Sequence, residues 1–107
     1  MIINVKTISE LNILINNSKS LVIDFYADWC APCINLGLIL EKLLDLEEFS
    51  DIVFCKINID NSEFDEICAK YKVNSIPHVE FFKNSKNTTS LIGLNESKLI
   101  DNIRLIV

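Results

Sequence analysis

The stretch from Leu21 to Cys33 constrains this chain more than any other. Leu21 to Ala27 is a nearly continuous apolar run, rich in β-branched and aromatic side chains, and Asp28-Trp29-Cys30-Ala31-Pro32-Cys33 follows at once. A strand covered on both faces has this composition, because neither side needs polar groups. Beyond the cysteines, Leu36, Leu40, Leu43 and Leu44 mark one face of a long helix. The Cys-x-x-Cys pair thus sits where a buried strand gives way to a helix. Unpartnered amide hydrogens and the positive end of the helix dipole gather there, and both favour an anion. A Cys at such a place is expected to ionise more readily than a free thiol. Pro32 suits the first helical turn, where its missing N–H costs nothing. The two-residue spacer puts both sulfurs on one helical turn, close enough to bridge. Cys30 is the candidate nucleophile and Cys33 the candidate resolving thiol. The competing reading, two inert core cysteines, fits poorly with a place beside Trp29 rather than inside an apolar stripe.

The rest of the chain alternates in the same way. Met1 to Lys6 reads as a short strand, and Thr7-Ile8-Ser9-Glu10 has the form of a capping box opening a helix through Leu11, Leu14 and Ile15. Ile52 to Ile59 reads as a second buried strand and Ile67 to Tyr71 as part of a short helix. Val79 to Phe82 and Thr89 to Ile92 form a hairpin turning through Lys83-Asn84-Ser85-Lys86. Leu99, Ile100, Ile103 and Ile106 line a terminal helix. The order βαβαβαββα predicts an α/β chain with a central mixed sheet and helices on both faces. At 107 residues, a single domain spanning 1–107 is the expectation.

Composition excludes several functions. Ten basic residues scattered among fifteen acidic ones, for a net charge of −5, do not form a phosphate-binding surface. No apolar run approaches the roughly 18 residues of a membrane span. The opening residues show no basic stretch before a long apolar block, so no secretory leader is expected. With a single His and no second Cys-x-x-Cys, a four-ligand zinc site has no paired ligands, and no metal is expected. Four cysteines are also too few for a secreted disulfide framework in a chain with its own core pattern.

Asp24 interrupts the apolar run. Burying an unpaired carboxylate costs several kcal/mol, and the usual response is a raised pKa. A carboxyl tuned towards neutrality could take the proton from Cys33. The alternative is a purely structural, hydrogen-bonded Asp.

Val22-Ile23-Asp24-Phe25-Tyr26-Ala27-Asp28-Trp29-Cys30-Ala31-Pro32-Cys33, with Lys56-Ile57-Asn58-Ile59-Asp60, Lys70-Tyr71-Lys72-Val73, Ser75-Ile76-Pro77 and Phe81-Phe82-Lys83-Asn84, resembles the thioredoxin family. These motifs fall in the family's order and span most of the chain. The resemblance implies the thioredoxin fold and dithiol–disulfide exchange on protein substrates. It implies an exposed attacking Cys30, a buried Cys33 behind it, a redox disulfide between them, and Asp24 as proton acceptor and donor. Lys56 would lie near Asp24 and support its charge, or else snorkel from the strand end. The Ile76–Pro77 bond would be cis and face the cysteines, with the Ile76 backbone pairing to an extended substrate. Trp29, Ile76 and Gly93, with Ala31 and Pro32, would make the substrate-docking surface. No bound cofactor is implied; electrons would come from NADPH through a flavin-dependent thioredoxin reductase. The implied protein is a cytoplasmic monomer whose partners are that reductase and disulfide-bearing proteins. A trimmed leader would allow an organelle.

Several residues depart from the family pattern. Ala31 replaces the commoner Gly. Ile34 stands where a Lys is frequent, which removes a charge favouring thiolate. Leu38 replaces a helix-kinking Pro, predicting a straighter helix. Ser85 replaces a turn Gly, leaving Asn84 as the residue best able to adopt φ > 0. His78 follows Pro77, where a small residue is usual. Either its imidazole lies near the dithiol or Asp24 and makes the potential pH-sensitive, or it fills space or faces solvent. Cys55 and Cys68 read as buried, inert thiols, with a regulatory role for Cys68 requiring exposure. Two functions compete: a general protein-disulfide reductase, and a scaffold whose surface docks one partner. The intact set of Cys30, Cys33, Asp24 and Pro77 favours the reductase, since a scaffold needs none of them together. Ala-Pro between the cysteines, lacking the His of oxidising isomerases, points to reduction.

Overall fold

Along the chain the elements are β1 (Ile3–Asn4), α1 (Ile8–Asn17), β2 (Ser20–Tyr26), α2 (Ala31–Leu44), β3 (Val53–Asn58), α3 (Asp65–Lys70), β4 (His78–Lys83), β5 (Lys86–Ile92) and α4 (Glu96–Arg104), in a computed structural model that describes residues 1–107. One sheet runs in the order β1-β3-β2-β4-β5. β1, β3 and β2 are mutually parallel, while β4 is antiparallel to β2 and to β5. The expected mixed sheet is therefore present. The first strand is shorter than the expected Met1–Lys6, although the Val5 N–H still reaches the Lys56 carbonyl at 3.0 Å.

β2 is the middle strand, and that position explains its apolar run. Val22 packs with Phe54, Val79, Phe81 and Leu91 beneath Leu36 and Leu40 of α2 and Leu99 and Ile103 of α4. Leu21, Ile23 and Phe25 face the other way, joining Cys55, Ile57 and Phe82 under Leu11 of α1 and Ile67 of α3. Phe25, Phe49, Phe64 and Phe81 are fully buried, and each such side chain contributes about 1.5–3 kcal/mol.

Local signals set the element ends. Thr7 Oγ1 caps α1 by accepting the Glu10 N–H at 3.1 Å, and its hydroxyl donates to Glu10 Oε1 at 3.2 Å. Asn95 Oδ1 caps α4 through the Lys98 N–H at 3.0 Å. α3 closes with Lys72 in the left-handed region (φ 54°), the Lys72 N–H reaching Ala69 O and the Val73 N–H reaching Cys68 O at 2.9 Å. That is the Schellman arrangement, with Lys where Gly is usual. The β4–β5 turn has positive φ at both Asn84 (50°) and Ser85 (68°). A tight two-residue hairpin of matching twist needs both, so Ser85 shares the conformation expected of Asn84 alone.

Candidate active site

The end of β2 and the first turn of α2 place the cysteines. Cys30 is the N-cap of α2, with extended backbone (φ −94°, ψ 105°), and Pro32 lies in the first turn as its lost N–H permits. Cys30 Sγ accepts the Cys33 backbone N–H at 3.2 Å. The sulfur thus occupies the place a capping oxygen usually takes, at the positive end of a 14-residue helix. A disulfide joins Cys30 to Cys33, with Cα atoms 5.2 Å apart. In this oxidised form both are buried, Cys30 at 5% and Cys33 at 4% exposure, packed with Ala27, Tyr26, Ile59 and Ile76. The exposed Cys30 implied by the resemblance is not found here. Bonded to Cys33, Cys30 is buried, while Ala31 and Pro32 between them are exposed.

Asp24 is 2% exposed, and its Oδ1 has no hydrogen-bond partner. Burial pushes its carboxyl up to about 7 from 3.8, partly opposed by the Lys56 ammonium. The unpaired state fits the proton-transfer reading of Asp24 better than the hydrogen-bonded structural one. Asp24 lies opposite Lys56 in the β2–β3 ladder. The Lys56 amine sits 5.0 Å above the Tyr26 ring, so a cation–π contact holds it over an aromatic face. Asp24, Cys33, Lys56 and Glu41, with Ile34 and Leu38, line a cavity of about 390 Å³. Solvent in it would connect the carboxyl to bulk. Ile34 and Leu38 stand at 57% and 61% exposure, and α2 runs uninterrupted past Leu38, in line with the absence of a kinking Pro.

The Ile76–Pro77 peptide is cis. The Pro77 carbonyl accepts the Gly93 N–H at 2.8 Å, and Gly93 has φ +88°, a conformation that favours glycine. Ile76 packs against the cysteine cluster. Trp29 is 70% exposed, and its indole N–H donates to Asp60 Oδ2 at 2.9 Å. No role for Asp60 emerges from the sequence, although it ends one of the quoted motifs. A carboxylate just past a strand parallel to β2, at the same end as Trp29, was the available signal. Tyr26, beneath Lys56, carried none beyond its place in the apolar run.

His78 does not lie beside Asp24. Asp24 is opposite Val79 in the β2–β4 ladder, whereas His78 is opposite Phe25 and shares the other face of the sheet. Its Nε2 lies 2.5 Å from Glu80 Oε2, and both side chains are buried. The ring is neither beside Asp24 nor solvent-facing; it is buried, as the space-filling expectation had it, and its contact with Glu80 was not expected. Cys55 is 1% exposed and its thiol is pushed up to about 12 by burial and then by Asp24. Cys68 is half-buried, its thiol also raised by burial and then by Asp65. Burial thus disfavours the thiolate at both, although Cys68 is not the fully buried thiol expected. No group of His, Cys, Asp or Glu is arranged to hold a metal ion.

The thioredoxin family model matches residues 3–105. A thioredoxin of Mycoplasmoides gallisepticum is 39% identical over 85 residues, covering 79% of this chain and 81% of that protein. Thioredoxin-2 of Saccharomyces cerevisiae is 33% identical over 100 residues, 92% of each. Among solved structures, mitochondrial thioredoxin 3 of Saccharomyces cerevisiae in its oxidised form superposes with a TM-score of 0.85 at 31% identity, over 96% of this chain and 93% of that one. Thioredoxin of Fasciola hepatica gives 0.86 at 33% identity, over 99% and 100%.

Proposed function

The chain belongs to the thioredoxin family, and from that premise we propose how its residues divide the work of reducing a protein disulfide. The activity is thiol–disulfide exchange, and no cofactor is held. In the reduced protein, Cys30 carries the attacking thiolate. The observation that carries this assignment is the Cys33 N–H donated to Cys30 Sγ at the head of α2. A negative charge on that sulfur gains what the capped oxygen of an ordinary helix gains.

Cys30 Sγ attacks one sulfur of the substrate disulfide, forming a mixed disulfide and expelling the other as thiolate, which takes up a proton. Asp24 then removes the proton from the Cys33 thiol. The Cys33 thiolate attacks Cys30 Sγ, and the second substrate thiol leaves. Two electrons have passed to the substrate, and the protein is left with the Cys30–Cys33 bond. Asp24 suits this task because a carboxyl poised near 7 both accepts and returns a proton at neutral pH. Lys56 tempers the cost of its charge.

Substrate docks as an extended segment against the Ile76 backbone beside cis-Pro77, with Trp29, Ala31, Pro32 and Gly93 forming the rest of the surface. Cys30 must turn outward on reduction to meet it. We take residues 1–107 as one domain that works as a monomer. We assign the return of electrons to a flavin-dependent reductase drawing on NADPH, and the site of action to the cytoplasm, where a dithiol is kept reduced. No helix is long and apolar enough to cross a membrane.

Reduction of a protein disulfide with dithiothreitol as electron source tests the scheme. Wild type accelerates the reaction, Cys30→Ser does not, and Cys33→Ser accumulates a covalent mixed disulfide visible by mass. Equal rates for wild type and Cys30→Ser would overturn it.

A further inference from the structure

His78 and Glu80 are titratable, buried to 2% and 1% exposure, and unused by this mechanism. They face Phe25 and Ile23 across the β2–β4 ladder, on the side covered by α1 and α3. Polar groups in such a place cost free energy unless they satisfy one another. These do. His78 Nε2 and Glu80 Oε2 are 2.5 Å apart, and Glu80 Oε1 accepts Asn87 Nδ2 at 2.7 Å. Asn87 also donates to the Phe81 carbonyl at 3.2 Å, beside the irregularity in the β4–β5 ladder between Phe81 and Phe82. The edge of the Phe25–His78 ring pair closes another side, with centroids 5.5 Å apart and planes at 76°. His78 Nδ1 has no partner, so the whole polar hold on the ring runs through Glu80.

The position of the ring gives this network a consequence. His78 directly follows the cis Ile76–Pro77 peptide, whose Pro77 carbonyl is already tied to Gly93. The carboxyl end of the docking segment is therefore tied to Gly93 through the Pro77 carbonyl and runs directly into His78, whose backbone pairs with Phe25 and Ile92 and whose ring is held by Glu80. We propose that His78 and Glu80 are a positioning pair for that segment: Glu80, braced by Asn87, locks the imidazole, and the locked first residue of β4 sets the peptide plane presented to substrate. This rests on Ile76–Pro77 being the docking segment. Apolar residues of equal volume would fill the space with several near-equivalent packings. A hydrogen-bonded pair admits one geometry. The side-chain hydrogen bonds end on each other and on Asn87, so the pair governs substrate binding and leaves the sulfur chemistry alone.

The test measures KM and kcat for a peptide carrying one intramolecular disulfide, with iodoacetamide alkylation of Cys30 as a separate readout. The double variant His78→Thr/Glu80→Leu removes both titratable groups and strands no charge. It is expected to raise KM about fivefold, with kcat and the alkylation rate unchanged. Asn87→Ala, at an exposed position, is expected to raise KM about twofold by loosening Glu80, with the bond to the Phe81 carbonyl lost as well. It carries the test if the double variant does not fold. Wild-type KM in these variants, or a loss of kcat and alkylation together, would overturn the proposal. Pro77→Ala separates the two levels. If it raises KM while the pair's variants do not, only the positioning pair fails; if it too leaves KM unchanged, the docking reading has failed.

Discussion

Asp24 and Lys56 stand directly opposite each other in the parallel β2–β3 ladder, yet Asp24 Oδ1 accepts no hydrogen bond and the ion pairs of the chain lie elsewhere, at His78–Glu80 and Arg104–Glu48. The ammonium acts on the carboxyl through its field, and burial outweighs it. The site therefore keeps a carboxyl that holds its proton near neutrality and is not engaged by a neighbour.

That carboxyl has a cost that depends on pH. Between 3.8 and about 7, the folded protein holds a proton on Asp24 that the unfolded chain has released. Stability therefore falls as pH rises through this window. A rise from 3.8 to about 7 corresponds to about 4 kcal/mol, reached in full above the folded value. Asp24→Asn is expected to flatten this slope and to be the more stable protein at about pH 8, by urea denaturation at several pH values. The same variant should resolve mixed disulfides about tenfold more slowly near neutrality, seen by stopped-flow.

Trp29 is held by a single hydrogen bond to Asp60. Asp60→Ala frees a 70% exposed indole and should change stability by no more than about 1 kcal/mol. Because this is the only Trp in the chain, its emission reports the change directly. The fluorescence difference between oxidised and reduced protein is expected to shrink, and KM for a protein disulfide to rise about threefold through the looser rim.

Three of the four cysteines should separate by reactivity. In the reduced native protein, a thiol reagent at neutral pH is expected to modify Cys30 first and half-buried Cys68 slowly. Cys55, with its thiol pushed up to about 12, should react only on unfolding. Peptide mass mapping over time gives the order.

Two positive-φ residues carry avoidable strain. Lys72→Gly is expected to raise unfolding stability by about 0.5–1 kcal/mol, since Gly takes the left-handed region without its Cβ penalty. Ser85→Gly should gain less, because it gives up the Ser85 hydroxyl bond to the Asn16 carbonyl at 3.2 Å. Thermal melts of the reduced proteins check both.

Much of this molecule was legible along the chain. The apolar run from Leu21 announced a strand covered on both faces, and Pro32 beside two cysteines announced the head of a helix. Thr7 and Glu10 announced a cap. Asp24 was legible because a carboxylate inside an apolar run must titrate oddly or find a partner. Others were not. Asp60 looked like any carboxylate after a strand until the fold set it against Trp29, 31 residues away. Glu80 carried no signal inside the Val79 to Phe82 strand, and His78 was left between a place near the dithiol or Asp24 and a space-filling or solvent-facing one.

Signals that act over a few residues, such as hydrophobic period, capping and proline geometry, are written into the chain and need no fold to be read. They determined the elements, their order and the placement of the cysteines at a helix start. Alternation in a strand sorts residues into two sets without saying which set meets which helix, since that depends on register with strands distant in sequence. Tertiary structure alone decided that Asp24 opens on the α2 side with Lys56 and Cys33, and that His78 turns to the opposite side to meet Glu80.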